Sequence, residues 1–132
     1  MVEERPDVSK KVLVIDDDPN LVRLVIRILK SKGFNVLSAL SGEKGLRLAR
    51  SEMPDVILLD VEMPPGISGS EVCNRLRLDP ETVNIPVIFL TARVDMYAME
   101  LRVEEEAQEY LLKPFLPSVL ISRIGEVLGK KA

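Results

Sequence analysis

Five residues at four places in the chain are of types suited to phosphoryl chemistry: Asp16 beside Asp17, then Asp60, Thr91 and Lys113. Each place closes a short block that reads as a strand: Val12 to Ile15, Val56 to Leu59, Pro86 to Leu90 and Glu109 to Leu112. A carboxylate can attack phosphorus, but the incoming group is already anionic and so are the neighbouring acids. A hard divalent cation resolves this by binding carboxylate and phosphoryl oxygens together. Lysine adds a second, mobile positive charge, and a threonine hydroxyl can donate to the oxygens of the transferred group. Positioning and charge neutralisation are most of what phosphoryl transfer requires.

The elements that carry these residues follow from hydrophobic pattern. Val56 to Leu59 is an unbroken apolar block between Pro54 and the Pro64-Pro65-Gly66 turn, so it reads as a strand buried on both faces. Asp60 stands at its carboxyl end, where open α/β sheets form their ligand crevice. After Val12 to Ile15, Pro19 opens a helix with Leu21, Leu24, Val25, Ile28 and Leu29 on one stripe, stopped at Gly33. Phe34 to Ser38 is a strand, and Ser41 caps a helix running to about Ser51. Ser68-Gly69-Ser70-Glu71 has capping-box form ahead of Val72, Cys73 and Leu76. A weaker helix from about Val94 gives way to Glu104-Glu105-Glu106, and Pro117 starts a last helix. That helix turns Leu120, Ile121, Ile124, Val127 and Leu128 inward, with Gly129 after it. Five strands alternating with five helices imply a parallel sheet with right-handed crossovers.

Composition narrows the classes. A chain of 132 residues with 46% hydrophobic and 30% charged residues is one globular domain with a real core. The net charge of -3 and pI near 5.1 argue against direct nucleic-acid binding. No stretch is long enough to cross a bilayer, and Met1 to Lys10 lacks the apolar core of a signal peptide. A lone cysteine, Cys73, fits a reducing cytoplasm and a small core residue. Histidine is absent, which removes imidazole catalysis and histidine metal sites.

Taken together and in order, Asp16-Asp17, Asp60, Thr91-Ala92 and Tyr110-Leu111-Leu112-Lys113-Pro114-Phe115 resemble the receiver domain of bacterial two-component response regulators. The resemblance implies a flavodoxin-like (βα)5 receiver fold: α/β, a five-stranded parallel sheet in order 2-1-3-4-5, helices on both faces. It places the receiver domain at 10–129, between a flexible amino-terminal tail at 1–9 and a carboxyl-terminal tail at 130–132. It implies that Asp60 accepts a phosphoryl group from a sensor histidine kinase, a histidine phosphotransfer protein or a small phosphodonor. Mg2+ (or Mn2+) would be held by Asp16, Asp17, Asp60 and the backbone carbonyl of Glu62. Thr91 and Lys113 would bind the phosphoryl group, Thr91 and Tyr110 would form the switch, and the Lys113-Pro114 bond would be cis. Output would pass through the face made by the fourth helix, fifth strand and fifth helix, with homodimerisation on phosphorylation as one form of it. The expected partners include no nucleic acid and no membrane, and the chain is expected to catalyse only its own phosphorylation and dephosphorylation.

Three features depart from the family pattern. The loop from Val61 to Gly69 is one residue longer than usual, beyond Glu62. Glu62 and Arg93 occupy the positions that flank the phosphoryl site and tune its access to water, and as an opposite-charge pair they are expected to bridge it. Glu106 stands where glycine is usual, and three adjacent glutamates oppose the macrodipole, so the helix from Val94 is expected to fray early.

Other readings carry less of the pattern. Asp60-Val61-Glu62 resembles the Asp-x-Asp nucleophile of haloacid-dehalogenase-like phosphohydrolases, which need further motifs and a cap. A phosphorylation-independent scaffold receiver would lack site residues that this chain has. The acidic first loop argues against a flavodoxin, since it would repel the flavin phosphate. Asp18 before Pro19 is read as a helix cap, and the arginines and lysines of the first two helices as a solvated face.

Overall fold

A computed structural model describes residues 10–92 and 109–131. The elements in order are β1 (Lys11–Ile15), α1 (Pro19–Ser31), β2 (Asn35–Ala39), α2 (Gly42–Glu52), β3 (Val56–Asp60), α3 (Gly69–Leu78), β4 (Val87–Thr91), β5 (Glu109–Leu112) and α4 (Pro117–Lys131). The five strands form one sheet in the order β2-β1-β3-β4-β5, and every pairing is parallel. The expected helix from Val94, with Glu104 to Glu106, lies outside the described residues.

Strand alternation divides the core into two layers. Leu13, Ile15, Ile57, Leu59, Val87 and Phe89 point to the face covered by α2 and α3. Val12, Val14, Val56, Leu58, Ile88 and Leu90 point to the face covered by α1 and α4. Because β1, β3 and β4 are buried on both faces, their sequences are continuous apolar runs without alternation. The stacking also places the strand ends in one row: Asp60 pairs with Leu90, and Thr91 with Leu112.

Helix starts behave as their caps dictate. The Asp18 carboxylate accepts from the N–H groups of Asn20 and Leu21, at 3.0 and 3.4 Å, with Pro19 at the first helical position. Ser41 and Ser68 each accept from the N–H three residues on, at 3.2 and 3.1 Å. Gly33, at φ +89°, turns the chain out of α1 in a conformation that favours glycine.

Two details differ from the sequence expectation. The buried stripe of α1 is Val22, Val25 and Leu29, while Leu24 is 45% exposed. So many positions of this helix are apolar that two stripes overlap, and the sheet surface selects one of them. The last helix also runs on through Gly129 to Lys131. Glycine in an exposed last turn weakens a helix by only about 1 kcal/mol relative to alanine, too little to end it.

Candidate functional site

The three acids meet at the carboxyl ends of adjacent strands. Among the described residues, Asp16, Asp17 and Asp60 form a group whose carboxylate oxygens all lie within 4.8 Å of one another. Asp16 is fully buried and Asp60 is 9% exposed, whereas Asp17 is exposed. Asp16 is fixed by its neighbours: its N–H donates to the Ala39 carbonyl at 3.1 Å, and its Oδ1 accepts the Asp18 N–H at 3.0 Å.

Lys113 enters this group from the end of β5. Its Nζ donates to Asp16 Oδ2 at 2.8 Å and to Asp60 Oδ1 at 3.4 Å. The backbone N–H of Lys113 donates to the Thr91 carbonyl at 2.7 Å, which ties the lysine to the end of β4. The Lys113-Pro114 bond is cis, as the resemblance implied. Asp60, Val61, Glu62, Thr91, Ala92 and Lys113 line a cavity of about 140 Å³. A water occupies about 30 Å³ of liquid, so a phosphoryl group with a few waters fits there.

Electrostatics sets this pocket apart. Burial, reinforced by the charge of Asp16, pushes the Asp60 carboxyl up to about 6, against the attraction of Lys113. Burial opposes the charge on Lys113, but its hydrogen bond and attraction to Asp16, with Asp60 adding to them, raise its affinity for a proton. An ionised Asp60 is therefore held at a cost to the metal-free fold.

That cost makes a prediction. A carboxyl titrating near 6 when folded and 3.8 when unfolded binds its proton more tightly in the fold. Stability from this group is thus complete below the unfolded value and is lost as pH rises through about 6. In EDTA, Asp60→Asn should raise stability at pH 7.5 by on the order of 1–2 kcal/mol, allowing for water at the exposed Asp17. The gain should fade by about pH 4.5, a trend that thermal melts at the two pH values would read. A gain that persisted unchanged in acid would show that the buried charge of Asp60 is not its source.

The remaining candidates fall around this centre. Thr91 is buried as the last residue of β4, and Tyr110 is buried with its ring 5.2 Å from that of Phe89. Glu62 is exposed on the rim of the cavity. Arg93, and with it the expected bridge to Glu62, lies outside the described residues. Cys73 is wholly buried in the core.

Two participants escaped the sequence reading. Gly69 packs so closely on the end of β3 that a Cβ there would stand 2.0 Å from the Asp60 carbonyl oxygen. Its place in Ser68-Gly69-Ser70-Glu71 signalled only a helix start. Leu24, expected inward, instead lines a second cavity of about 300 Å³ with Leu21, Pro114 and Phe115, and Lys113 borders it too.

Sheet and site together define a class: a parallel α/β module with a lysine-bridged acidic crevice at its strand ends. The chain belongs to the response regulator receiver domain family, which it matches over residues 12–125. It is 36% identical over 115 residues to the DNA-binding response regulator MtrA of Mycolicibacterium smegmatis, covering 87% of this chain and 49% of that one. It is 43% identical over 119 residues to the transcriptional regulatory protein AfsQ1 of Streptomyces coelicolor, covering 90% and 51%. A solved response regulator structure from Chloroflexus aurantiacus J-10-fl is 35% identical with a TM-score of 0.84, covering 92% and 98%. The chain spans about half the length of the curated relatives it matches.

These relatives correct one expectation. The acidic balance argued against direct nucleic-acid binding, yet MtrA is a DNA-binding response regulator. A net charge of -3 describes only the 132 residues counted and says nothing of the half of those relatives that this chain does not match. The acidic balance of these residues is therefore no ground for excluding nucleic acid. For membranes, no helix among the described residues is long and apolar enough to cross one.

Proposed function

We propose that this receiver is a phosphorylation-dependent switch in which Asp60 accepts a phosphoryl group from a phosphohistidine or a small phosphodonor. The observation that carries the reading is Asp60, nearly buried, 3.4 Å from the Lys113 ammonium and grouped with Asp16 and Asp17. An Asp60 carboxylate oxygen attacks phosphorus; the bond from phosphorus to the nitrogen of a phosphohistidine, or to the acyl oxygen of a donor such as acetyl phosphate, breaks, and that atom keeps the bonding pair.

The donor set fits a hard divalent cation, because it is all carboxylate oxygen and carries more negative charge than Lys113 offsets. Asp16, Asp17 and Asp60, with the Glu62 backbone carbonyl, would hold Mg2+ or Mn2+. When bound, such an ion neutralises carboxylate and phosphoryl oxygens together. Lys113 is placed to exchange its contact with Asp60 for one with the new phosphoryl oxygens, and the Thr91 hydroxyl to donate to them. Both shifts would pull on the ends of β4 and β5, two residues along from the paired Phe89 and Tyr110. The result is a population shift between two conformations.

The apolar cavity beside Lys113, with Leu21, Leu24 and Phe115, supports docking of the phosphodonor's protein at this end of the sheet. The chain acts on its own Asp60 in the cytoplasm and turns over no external substrate. The output it controls is of the kind its relatives are named for, transcriptional regulation through DNA binding.

The switch is tested by adding Mg2+ and beryllium fluoride, a phosphoryl mimic, while following backbone amide resonances. Saturable shifts at Thr91, Tyr110 and Lys113 in wild type, absent in Asp60→Asn, are expected. Shifts confined to the site itself, residues 16, 17, 60, 91 and 113, would show binding without a switch.

A further inference from the structure

The loop of residues 61–68 leaves Asp60 and returns at Gly69, so its shape sets one wall of the phosphoryl cavity. Its base is tied by its own backbone. The Gly69 N–H donates to the Val61 carbonyl at 2.7 Å, and the Gly66 N–H to the Met63 carbonyl at 3.1 Å. Val61 and Met63 are buried beneath it, while Glu62 stays exposed on the cavity rim.

The tip is met from another element. Glu43 lies in the first turn of α2, 24 residues before Ile67, and its Oε2 accepts the Ile67 N–H at 3.3 Å. Its Oε1 stands over Gly66, where a Cβ would come within 2.8 Å of it. Both oxygens of one carboxylate therefore lie against two consecutive residues of the loop. An acid in a first turn ordinarily does no more than offset the helix dipole. Here the cap is supplied by Ser41, and Glu43 reaches away from its own helix. Glycine at 66 leaves the room that this reach requires.

We propose that Glu43 is a positioning residue for the chemistry at Asp60, bracing the tip of the 61–68 loop so that the Asp60–Glu62 main chain keeps one arrangement around the cavity. This rests on the reading of Asp60 as phosphoacceptor. Glu43 touches no reacting atom. Without it the loop samples other positions, so attack by Asp60 becomes slower and water reaches the adduct more freely.

The test follows labelling by acetyl phosphate with Mg2+, and decay of the adduct, by intact mass over time. The set is wild type, Glu43→Ala, Glu43→Gln, Gly66→Ala and the Glu43→Ala/Gly66→Ala double variant. Exchange of the Ile67 amide without phosphodonor and the thermal midpoint are measured alongside. A misplacement of about 1 Å costs up to about a hundred-fold in rate, and release of a loop tip moves its base by less. Glu43→Ala should therefore slow labelling and shorten the adduct's life by roughly three- to ten-fold. Ile67 exchange should quicken, with the midpoint held within about 3 °C. Glu43→Gln keeps an oxygen for the Ile67 N–H and should retain most of the rate. Gly66→Ala displaces the carboxylate and should behave as Glu43→Ala, with the double variant no worse than either. Wild-type labelling and decay in Glu43→Ala, or equal impairment in Glu43→Gln, would overturn the inference alone. Failure of wild type to take any label would overturn the reading of Asp60, and this inference with it.

Discussion

Replacing Lys113 with methionine should lower the stability of the metal-free protein at pH 7.5 by about 2 kcal/mol. The lysine is the cation that meets two buried carboxylates, at 2.8 Å from Asp16 and 3.4 Å from Asp60. Removing one partner of a buried ion pair costs about 3–5 kcal/mol, because the charge left behind has neither water nor partner. Lys113 keeps 20% of its side chain exposed and Asp17 faces solvent, so part of that cost is screened. For a domain of this size the loss corresponds to a fall of roughly 5–10 °C in the thermal midpoint.

The pH dependence identifies the cause. Without the ammonium, folded Asp60 holds its proton even more tightly than at the present value of about 6, while the unfolded chain stays near 3.8. The deficit of Lys113→Met should therefore shrink as pH falls through that window, as Asp60 becomes neutral. Mg2+ at neutral pH should recover part of it by supplying the missing positive charge. Melts at pH 7.5 and 4.5, with and without EDTA, give all four comparisons. A deficit of the same size at both pH values would assign the loss to packing of the lysine stem instead.

Gly69→Ala should have the larger effect on chemistry. The added carbon would stand 2.0 Å from the Asp60 carbonyl oxygen and 2.9 Å from its carbon, both backbone atoms at the end of a central strand. Nothing there can rotate aside, so either α3 or Asp60 must move. Overpacking of this kind costs about 1–3 kcal/mol, and the displacement falls on the proposed acceptor itself. We expect labelling of Asp60 to drop by roughly a hundred-fold in a protein that still folds. Gly125→Ala is the comparison: nothing lies within 4 Å of its Cβ position in α4, so it should be neutral or slightly stabilising. Wild-type labelling in Gly69→Ala would show that the close approach is dispensable.

What could be read from the chain depended on how local each signal was. The strands that matter most declare themselves as apolar runs ending in Asp16, Asp60 and Thr91, because burial on both faces leaves no alternation. Asp18, Ser41 and Ser68 act within three residues of themselves, and all three cap as expected. Strand order has no such local signature and came only with the family resemblance. Leu24 departs from the expected stripe because apolar residues occupy most of α1, leaving the choice of face to the sheet. Glu43 meets Ile67 across 24 residues, and Gly69 meets Asp60 only because the loop between them closes, so hydrophobic pattern shows neither contact. Net charge misleads about nucleic acid for a different reason, since composition speaks only for the residues it counts.

Asp60 is expected to take a phosphoryl group in a reaction that needs a divalent cation. Intact mass after incubation with acetyl phosphate and Mg2+ tests it most directly, for wild type and Asp60→Ala, with and without EDTA. A single phosphoryl adduct on wild type, lost in the variant and lost in EDTA, is the predicted result. No adduct on wild type with any of several phosphodonors, or an adduct that survives Asp60→Ala, would contradict it.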